Sequence, residues 1–215
     1  TVPTLLIVSI NAISTPFQPT ADGLAKGDNV MSTYTIPVDD HHTSAKDNLP
    51  IIDPDSTLSL INARYKAAVD RLKIQAGAIK NYAKANHFNT EYCFLVDMSI
   101  PSGKKRFFVY NMNKDSLEYS SLVAHGWGSQ KMDSDQLEFS NVPNTCQTSL
   151  GKYRIGYSYN GSFGLAYKLY GLDNTNSKAF ERAIVLHSLS HFPQSETWPD
   201  QIPQSAGCPM VSRSF

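Results

Sequence analysis

The spacing of apolar residues changes once along this chain of 215 residues, and the change separates a helical part from a β part. Upstream of the change, one set of apolar side chains recurs at steps of three and four residues: Leu58, Ile61, Tyr65, Val69, Leu72, Ala76, Ile79 and Ala83. This spacing places them on one face of an α-helix, and Asp55 or Ser56 can cap the first turn. We predict one long amphipathic helix, or a helical pair, that ends near Asn86.

After Asn89 the sequence has the pattern of short strands rich in aromatic and β-branched residues. Six runs have this composition, at residues 92–96, 106–110, 119–123, 152–159, 165–169 and 183–186. Turn residues fall at 101–103, 113–115, 160–161 and 171–173, and residues 177–182 are compatible with a short helix. The predicted fold is mainly β with an added helical layer (α+β), with a helical front over residues 55–88 and a β-rich core over residues 91–215.

The first 54 residues have a different composition. An apolar run at residues 5–13 precedes a proline-spaced stretch at 15–21, which resembles the tail of a secretory signal peptide. We therefore expect residues 1–54 to be a leader-like and linker segment, with a first β-strand as the alternative. The run Asp39-Asp40-His41-His42 is interpreted as a solvated loop, because no second ligand cluster with suitable spacing follows it. We assign no metal and no cofactor.

Charge and cysteine content narrow the function classes. The 19 basic residues balance the 19 acidic ones, so no basic surplus favours nucleic acid or anionic lipid as a partner. No apolar run reaches the roughly 18 residues of a membrane-spanning helix. The three cysteines are an odd number, so in an exported protein at least one thiol stays unpaired or bonds to another molecule. This favours a chemical role for one of them.

The residues around Cys208 favour a reactive thiol. His187 ends an apolar run, and Cys208 follows the small residues Ser205, Ala206 and Gly207. A thiol needs a nearby base or cation to lower its pKa from about 8.5. Gly207 permits close approach of a substrate backbone, and such a turn can aim N–H groups at an oxyanion. Each residue alone is compatible with packing, and together they predict a nucleophile with a base.

This arrangement resembles the motif of the murein L,D-transpeptidases, in which a histidine and a loop precede Ser/Thr-His-Gly-Cys. Here seventeen residues separate His187 from Ser205. Further blocks are similar in the same order to the branch found in Gram-negative envelopes, at residues 123–129, 139–143, 149–153, 169–173 and 182–187. The resemblance covers roughly residues 55–215, which we take as the catalytic domain. That branch usually has Arg-Ser-Trp-Gly-Cys-Pro where this chain has Gln204 to Pro209, and His-Gly where it has His187-Ser188.

The resemblance implies a cysteine-dependent enzyme of the cell envelope, periplasmic or secreted, whose partners are peptidoglycan stem peptides. Cys208 and His187 would be catalytic, and Ser188, Ser205 and Gly207 would support the imidazole or an oxyanion. The implied reaction releases D-alanine from a tetrapeptide stem and forms a 3-3 cross-link. Water as the acceptor would make the enzyme an L,D-carboxypeptidase, and the sequence does not choose between the two.

Other residues and functions stay open at this point. His125 follows a predicted strand in a glycine-rich turn, where it either lines a substrate groove or makes a structural hydrogen bond, and Tyr170 is a second candidate for substrate binding. Packing is the leading interpretation of Cys93 and Cys146.

A catalytically silent wall-binding protein is one alternative, and a different cysteine hydrolase is another. Papain-like enzymes usually place the cysteine before the histidine, which is the reverse of the order here. Because the chain stops seven residues after Cys208, we also expect the sheet of the family to be incomplete at this end.

Overall fold

The computed structural model describes residues 4–9, 54–131 and 134–215. The Asp39–His42 segment lies outside the described residues. In the described part of the chain, no helix combines the length and the apolarity that a membrane crossing requires.

An eight-stranded sheet and one long helix make up most of the described structure. The helix is α1 (Pro54–Ala85), and the strands of the sheet are β1 (Leu5–Ser9), β2 (Tyr92–Asp97), β3 (Phe107–Asn111), β4 (Ser116–Ser121), β7 (Gly151–Gly161), β8 (Gly164–Gly171), β9 (Val185–Leu189) and β10 (Met210–Ser212). A 3-10 turn at Trp127–Ser129 leads into a two-stranded ribbon, β5 (Gln130–Lys131) and β6 (Ser134–Leu137). The predicted mainly β fold with an added helix is confirmed.

Two antiparallel meanders, β2–β3–β4 and β7–β8–β9, are joined through β1 in the order β10-β9-β8-β7-β1-β2-β3-β4. β1 runs parallel to β2 and antiparallel to β7, so that Leu5 pairs with both Cys93 and Arg154. Leu5–Ser9, for which a leader and a first strand were both considered, thus lies in the same sheet as residues 92–212. β10 is an edge strand of the sheet, and it runs parallel to its neighbour β9.

The helix packs on one face of this sheet, which we call the helix face. Leu72 and Ala76 of α1 join Cys93 and Leu95 of β2 in one buried cluster, as the three- and four-residue spacing predicts. Because side chains alternate along a strand, Val96 and its neighbours point to the opposite face and build a second cluster. Burying a side chain as large as Leu72 contributes about 1.5–3 kcal/mol, so packing on the sheet stabilises α1.

The predicted short helix at 177–182 is wrong. The N–H groups of Ala179, Arg182 and Ile184 bond to carbonyls three, four and five residues back, so these residues form consecutive turns without a repeating α-helical pattern. The segment closes at Ala183, which has a positive φ of 54°. For the same reason β9 begins at Val185, later than the predicted start at residue 183.

Two strand boundaries also differ from prediction. The predicted turn at 160–161 lies within β7, because Asn160 pairs with Leu165 and Gly161 with Gly164, which leaves Ser162 and Phe163 as the hairpin loop. The strand predicted at 119–123 is β4, which begins earlier, at Ser116, and ends at Ser121. These bounds follow from its pairing with β3, in which Ser116 lies opposite Asn111 and Ser121 opposite Phe107.

Candidate active site

The thiol of Cys208 lies against the beginning of β9, just before β10 starts. The N–H of Val185 donates to Sγ at 3.5 Å, and the thiol faces the carbonyl oxygen of Ala183 at 3.9 Å. The positive φ of Ala183 turns the chain into β9 at this point. The parallel pairing of Met210 with His187 then brings the residues that follow Cys208 alongside the histidine strand.

The environment of Cys208 favours a neutral thiol at rest. Burial raises its pKa above the ordinary value, while the Val185 N–H and the charge of Arg182 act in the opposite direction. The guanidinium of Arg182 is fixed by two carbonyl oxygens, 2.8 Å from that of Ser140 and 2.5 Å from that of Gln147. Since the net shift is upward, the thiol needs a base to become a nucleophile at neutral pH.

His187 has the tautomer of a base. Its Nδ1 lies 3.1 Å from the carbonyl oxygen of Ser188. A carbonyl can only accept, so Nδ1 carries the proton and Nε2 keeps a free lone pair. Burial lowers the pKa of His187, against the effect of the Ser188 carbonyl, and this keeps the ring neutral at pH 7. Phe163 stacks on the imidazole with ring centroids 5.3 Å apart.

The hydrogen bonds of the thiol and of the imidazole go to backbone groups of 183–188, and none of them joins the two side chains to each other. His187 and Ser188 also form part of the wall of a groove of about 810 Å³, which includes the apolar side chains of Phe107, Ile155 and Leu186.

Ser205 holds the turn that leads to Cys208. Its hydroxyl donates to the carbonyl oxygen of Cys208 at 2.6 Å and accepts from the N–H of Gly207 at 3.1 Å. The backbone of Ser205 also bonds to the two neighbours of Gly126. The Ser205 N–H donates to the carbonyl oxygen of His125 at 2.9 Å, and the Ser205 carbonyl oxygen accepts from the N–H of Trp127 at 2.8 Å. The turn is therefore fixed to the segment that follows β4.

Gly207 occupies a position that only glycine fits easily. Its φ is +115°, and a Cβ there would lie 2.9 Å from the Gln147 carbonyl oxygen and 3.2 Å from Cδ1 of Ile184. Its N–H is engaged by Ser205, whereas no described residue accepts a hydrogen bond from the N–H of Cys208. Of the N–H groups of Gly207 and Cys208, that of Cys208 is therefore the one that the described residues leave free to face an oxyanion.

His125 is buried beneath this turn, with 1% of its surface exposed. Arg106 donates to its Nδ1 at 2.8 Å, and the side-chain amide of Gln204 lies 3.4 Å from its Nε2. Burial and the charge of Arg106 lower the pKa of His125 to about 4, against the effect of a hydrogen bond with Gln130. These contacts are those of a structural hydrogen bond, and a role in a substrate groove stays a prediction.

The remaining candidates are not among the hydrogen-bond partners of the Cys208 thiol, which are the backbone groups of Val185 and Ala183. The ring of Tyr170, on β8, stacks on Phe180. Cys93 is buried in β2, and Cys146 lies in the loop before β7. All three cysteines are free. In residues 4–9, 54–131 and 134–215, no group of three His, Cys, Asp or Glu side chains could hold a metal ion.

A family model of the L,D-transpeptidase catalytic domain matches residues 64–215. The chain belongs to the L,D-transpeptidase family. The match spans Cys208, His187 and the turns that hold them, and it confirms the family resemblance; the Gram-negative branch stays a prediction. L,D-transpeptidases are transferases that act on the peptidoglycan of the cell wall. No curated protein and no solved structure is significantly similar to this chain.

Sequence reasoning did not single out two residues of this L,D-transpeptidase. Arg182 falls in one of the family-like blocks, but its proximity to Cys208 depends on the fold of the turns at 177–184. Arg106 is 1% exposed and bonds to His125 and to the carbonyls of Val123 and Ile100. The sequence signal that could have identified Arg106 was the presence of an arginine within the otherwise apolar strand run at residues 106–110.

Proposed function

We propose that this chain is a cysteine-dependent L,D-transpeptidase, with Cys208 as the nucleophile and His187 as the general base. One observation carries the proposal. The Nδ1 of His187 is committed to the Ser188 carbonyl, which leaves Nε2 as a base on the strand whose Val185 N–H contacts the Cys208 thiol. A partly buried neutral thiol and a neutral imidazole are the starting pair that general-base activation requires.

In the proposed reaction the imidazole takes the thiol proton, and the thiolate attacks the carbonyl of the diaminopimelate that precedes D-alanine in a tetrapeptide stem. For this transfer Nε2 has to come within hydrogen-bonding distance of the thiol, since the two are not hydrogen-bonded in this structure. The N–H of Cys208 would hold the oxyanion. The imidazolium then protonates the leaving amine, so that D-alanine departs and a thioester remains on Cys208.

The acceptor completes the cycle. The amine of a second stem attacks the thioester, loses a proton to His187 and regenerates the thiol, which gives a 3-3 cross-link. With water as the acceptor, the same acyl-enzyme would give L,D-carboxypeptidase activity. Because the substrate lies outside the cytoplasmic membrane, we also propose a periplasmic or secreted location.

The direct test is mass spectrometry of a purified disaccharide-tetrapeptide after incubation with the protein. We expect loss of D-alanine and formation of 3-3 dimers, both abolished in Cys208→Ala and reduced about 10²–10⁴-fold in His187→Ala. Cys146→Ala is the matched control and should keep the activity. A carbapenem should add one covalent mass at Cys208.

Three outcomes would overturn the proposal. Release of D-alanine by Cys208→Ala would exclude this nucleophile, and carbapenem labelling only at Cys93 or Cys146 would do the same. Binding of the muropeptide without any product over long incubation would instead support a catalytically silent wall-binding protein.

A further inference from the structure

A group of cations and aromatic rings covers the helix face of β7 and β8 beside the active site. We call it the cation–aromatic patch, and it consists of Arg154, Tyr159, Lys168, Tyr170 and Phe180. The guanidinium carbon of Arg154 lies 3.9 Å from the ring centroid of Tyr170, and the ammonium of Lys168 lies 4.6 Å from that of Tyr159. Tyr170 and Phe180 stack nearly parallel, with centroids 4.9 Å apart.

The strand register explains why these side chains meet. Arg154 pairs with Tyr170 across β7 and β8, and residues paired across antiparallel strands share a face of the sheet. Lys168, two residues before Tyr170, points to the same face. Gly156 leaves room for the tyrosine ring, because a Cβ at this position would lie 2.5 Å from Cε2 of Tyr170.

The two cations of the patch have no carboxylate partner among the described residues. None of the ion pairs formed by the described residues includes Arg154 or Lys168. Lys152, which lies on β7 like Arg154, does have such a partner in Asp173. Both cations are partly exposed, and contact with a ring stabilises a cation near the surface by about 1 kcal/mol, which leaves its charge available to an anion. The rings are open to solvent as well, since Phe180 is 55% exposed.

The patch adjoins the Cys208 thiol through two short connections. Lys168 pairs with Val185 across β8 and β9, and the Val185 N–H contacts Sγ. On the second route, the carbonyl oxygen of Phe180 accepts a hydrogen bond from the N–H of Ala183 at 3.1 Å, and the Ala183 carbonyl faces the thiol. A peptide with its reacting carbonyl at Cys208 would therefore extend over these side chains if it ran across β9 toward β8.

We propose that the cation–aromatic patch binds a free carboxylate of the stem peptide whose carbonyl reacts at Cys208. This inference rests on the proposed function. Arg154 supplies a planar fork that suits a carboxylate, and Lys168 supplies a point charge. Because the whole chain has no net charge, this local excess of positive charge is what would attract an acidic peptide to the site.

The test measures binding separately from turnover. In the Cys208→Ala background, calorimetry gives the affinity for a disaccharide-tetrapeptide with free carboxylates and for the same compound with its carboxylates amidated. We expect Lys168→Gln to weaken binding of the free acid about fivefold or more, with little effect on the amidated compound, and Lys168→Arg to restore most of the affinity. Added salt should weaken binding of the compound with free carboxylates more than binding of the amidated compound.

Lys73→Gln, an exposed lysine of α1, is the matched control and should bind both compounds as the parent does. Equal affinity of the parent and Lys168→Gln for the free acid would overturn the inference. An equal loss for both compounds would overturn it too, because it would indicate a change of shape and not of charge. Failure of the proposed function gives a different result, namely intact binding without any Cys208-dependent product from the unmodified protein.

Discussion

The hydroxyl of Ser205 bonds to both residues at the tip of the Cys208 turn, donating to the Cys208 carbonyl oxygen at 2.6 Å and accepting from the Gly207 N–H at 3.1 Å. A hydroxyl can do both at once, because it has one donor hydrogen and two acceptor lone pairs. Ser205 is also the residue that fixes the turn to Gly126 through a parallel bridge. One side chain thus sets the direction in which the proposed nucleophile is presented.

We expect Ser205→Ala to destabilise the fold by about 1–3 kcal/mol, because it leaves the buried Gly207 N–H and the partly buried Cys208 carbonyl without this partner. Release of D-alanine should fall mainly through kcat, since the turn positions the thiol. Urea unfolding and steady-state kinetics measure the two effects. Ser205→Thr keeps the hydroxyl and should recover most of both, and an alanine variant with unchanged kcat would contradict a positioning role.

Gly207→Ala should cost more stability than Gly164→Ala. Both glycines have positive φ, at +115° and +96°, but a Cβ at 164 meets nothing within 4 Å, whereas at 207 it meets the Gln147 carbonyl and Ile184. Positive φ alone costs alanine roughly 1 kcal/mol, so the excess at Gly207 reports the crowding near Cys208. Thermal unfolding of the two variants makes the comparison. If the two variants lost the same stability, the loop 145–148, which carries the Gln147 carbonyl, would be free to move away from the added Cβ at position 207.

Stability should fall with acid through His125. Its pKa is about 4 in the folded protein and about 6.5 when unfolded, so the unfolded state binds more protons between these values. The stability that depends on a neutral His125 is complete above pH 6.5 and is lost as the pH falls toward 4, up to about 3 kcal/mol. In His125→Asn, which keeps an acceptor for Arg106, this contribution is absent.

Urea unfolding at pH 7.5, 5.5 and 4.5 tests this. The stability difference between the parent protein and His125→Asn should shrink as the pH falls. The exposed His191 provides the control, since His191→Asn should follow the parent at each pH. A parent–variant difference that does not change with pH would show that His125 titrates normally.

Arg182→Gln should move the titration of Cys208 to higher pH. The Arg182 charge lowers the pKa of the thiol, against the larger effect of burial, so its removal leaves less thiolate at a given pH. The rate of alkylation by iodoacetamide, followed at the Cys208 peptide by mass spectrometry, should show a midpoint shifted upward with a similar plateau. Lys178→Gln, on the same turn, should leave the midpoint in place. A lowered plateau with an unmoved midpoint would indicate a role in loop structure alone.

The sequence by itself determined the long helix and most of the strands. The three- and four-residue spacing around Leu72 and the alternation in β2 each have one face that can be buried, and the structure buries it. Local patterns were less informative at residues 177–184, where hydrogen bonds of different lengths replace the expected helix. Helix propensity there is weaker than the packing of Ala179 and Ile184 against the sheet.

The sequence also pointed to Cys208 and His187, which lie within the residues 64–215 that match the family; their catalytic roles stay predictions. Only the tertiary structure decided what surrounds them. Arg182, Ser205 and the Ser188 carbonyl act on these residues through distances that depend on how β9, β10 and the turns before them pack. Their charges and hydrogen bonds act over a few ångströms in space, and spacing along the chain does not specify such distances.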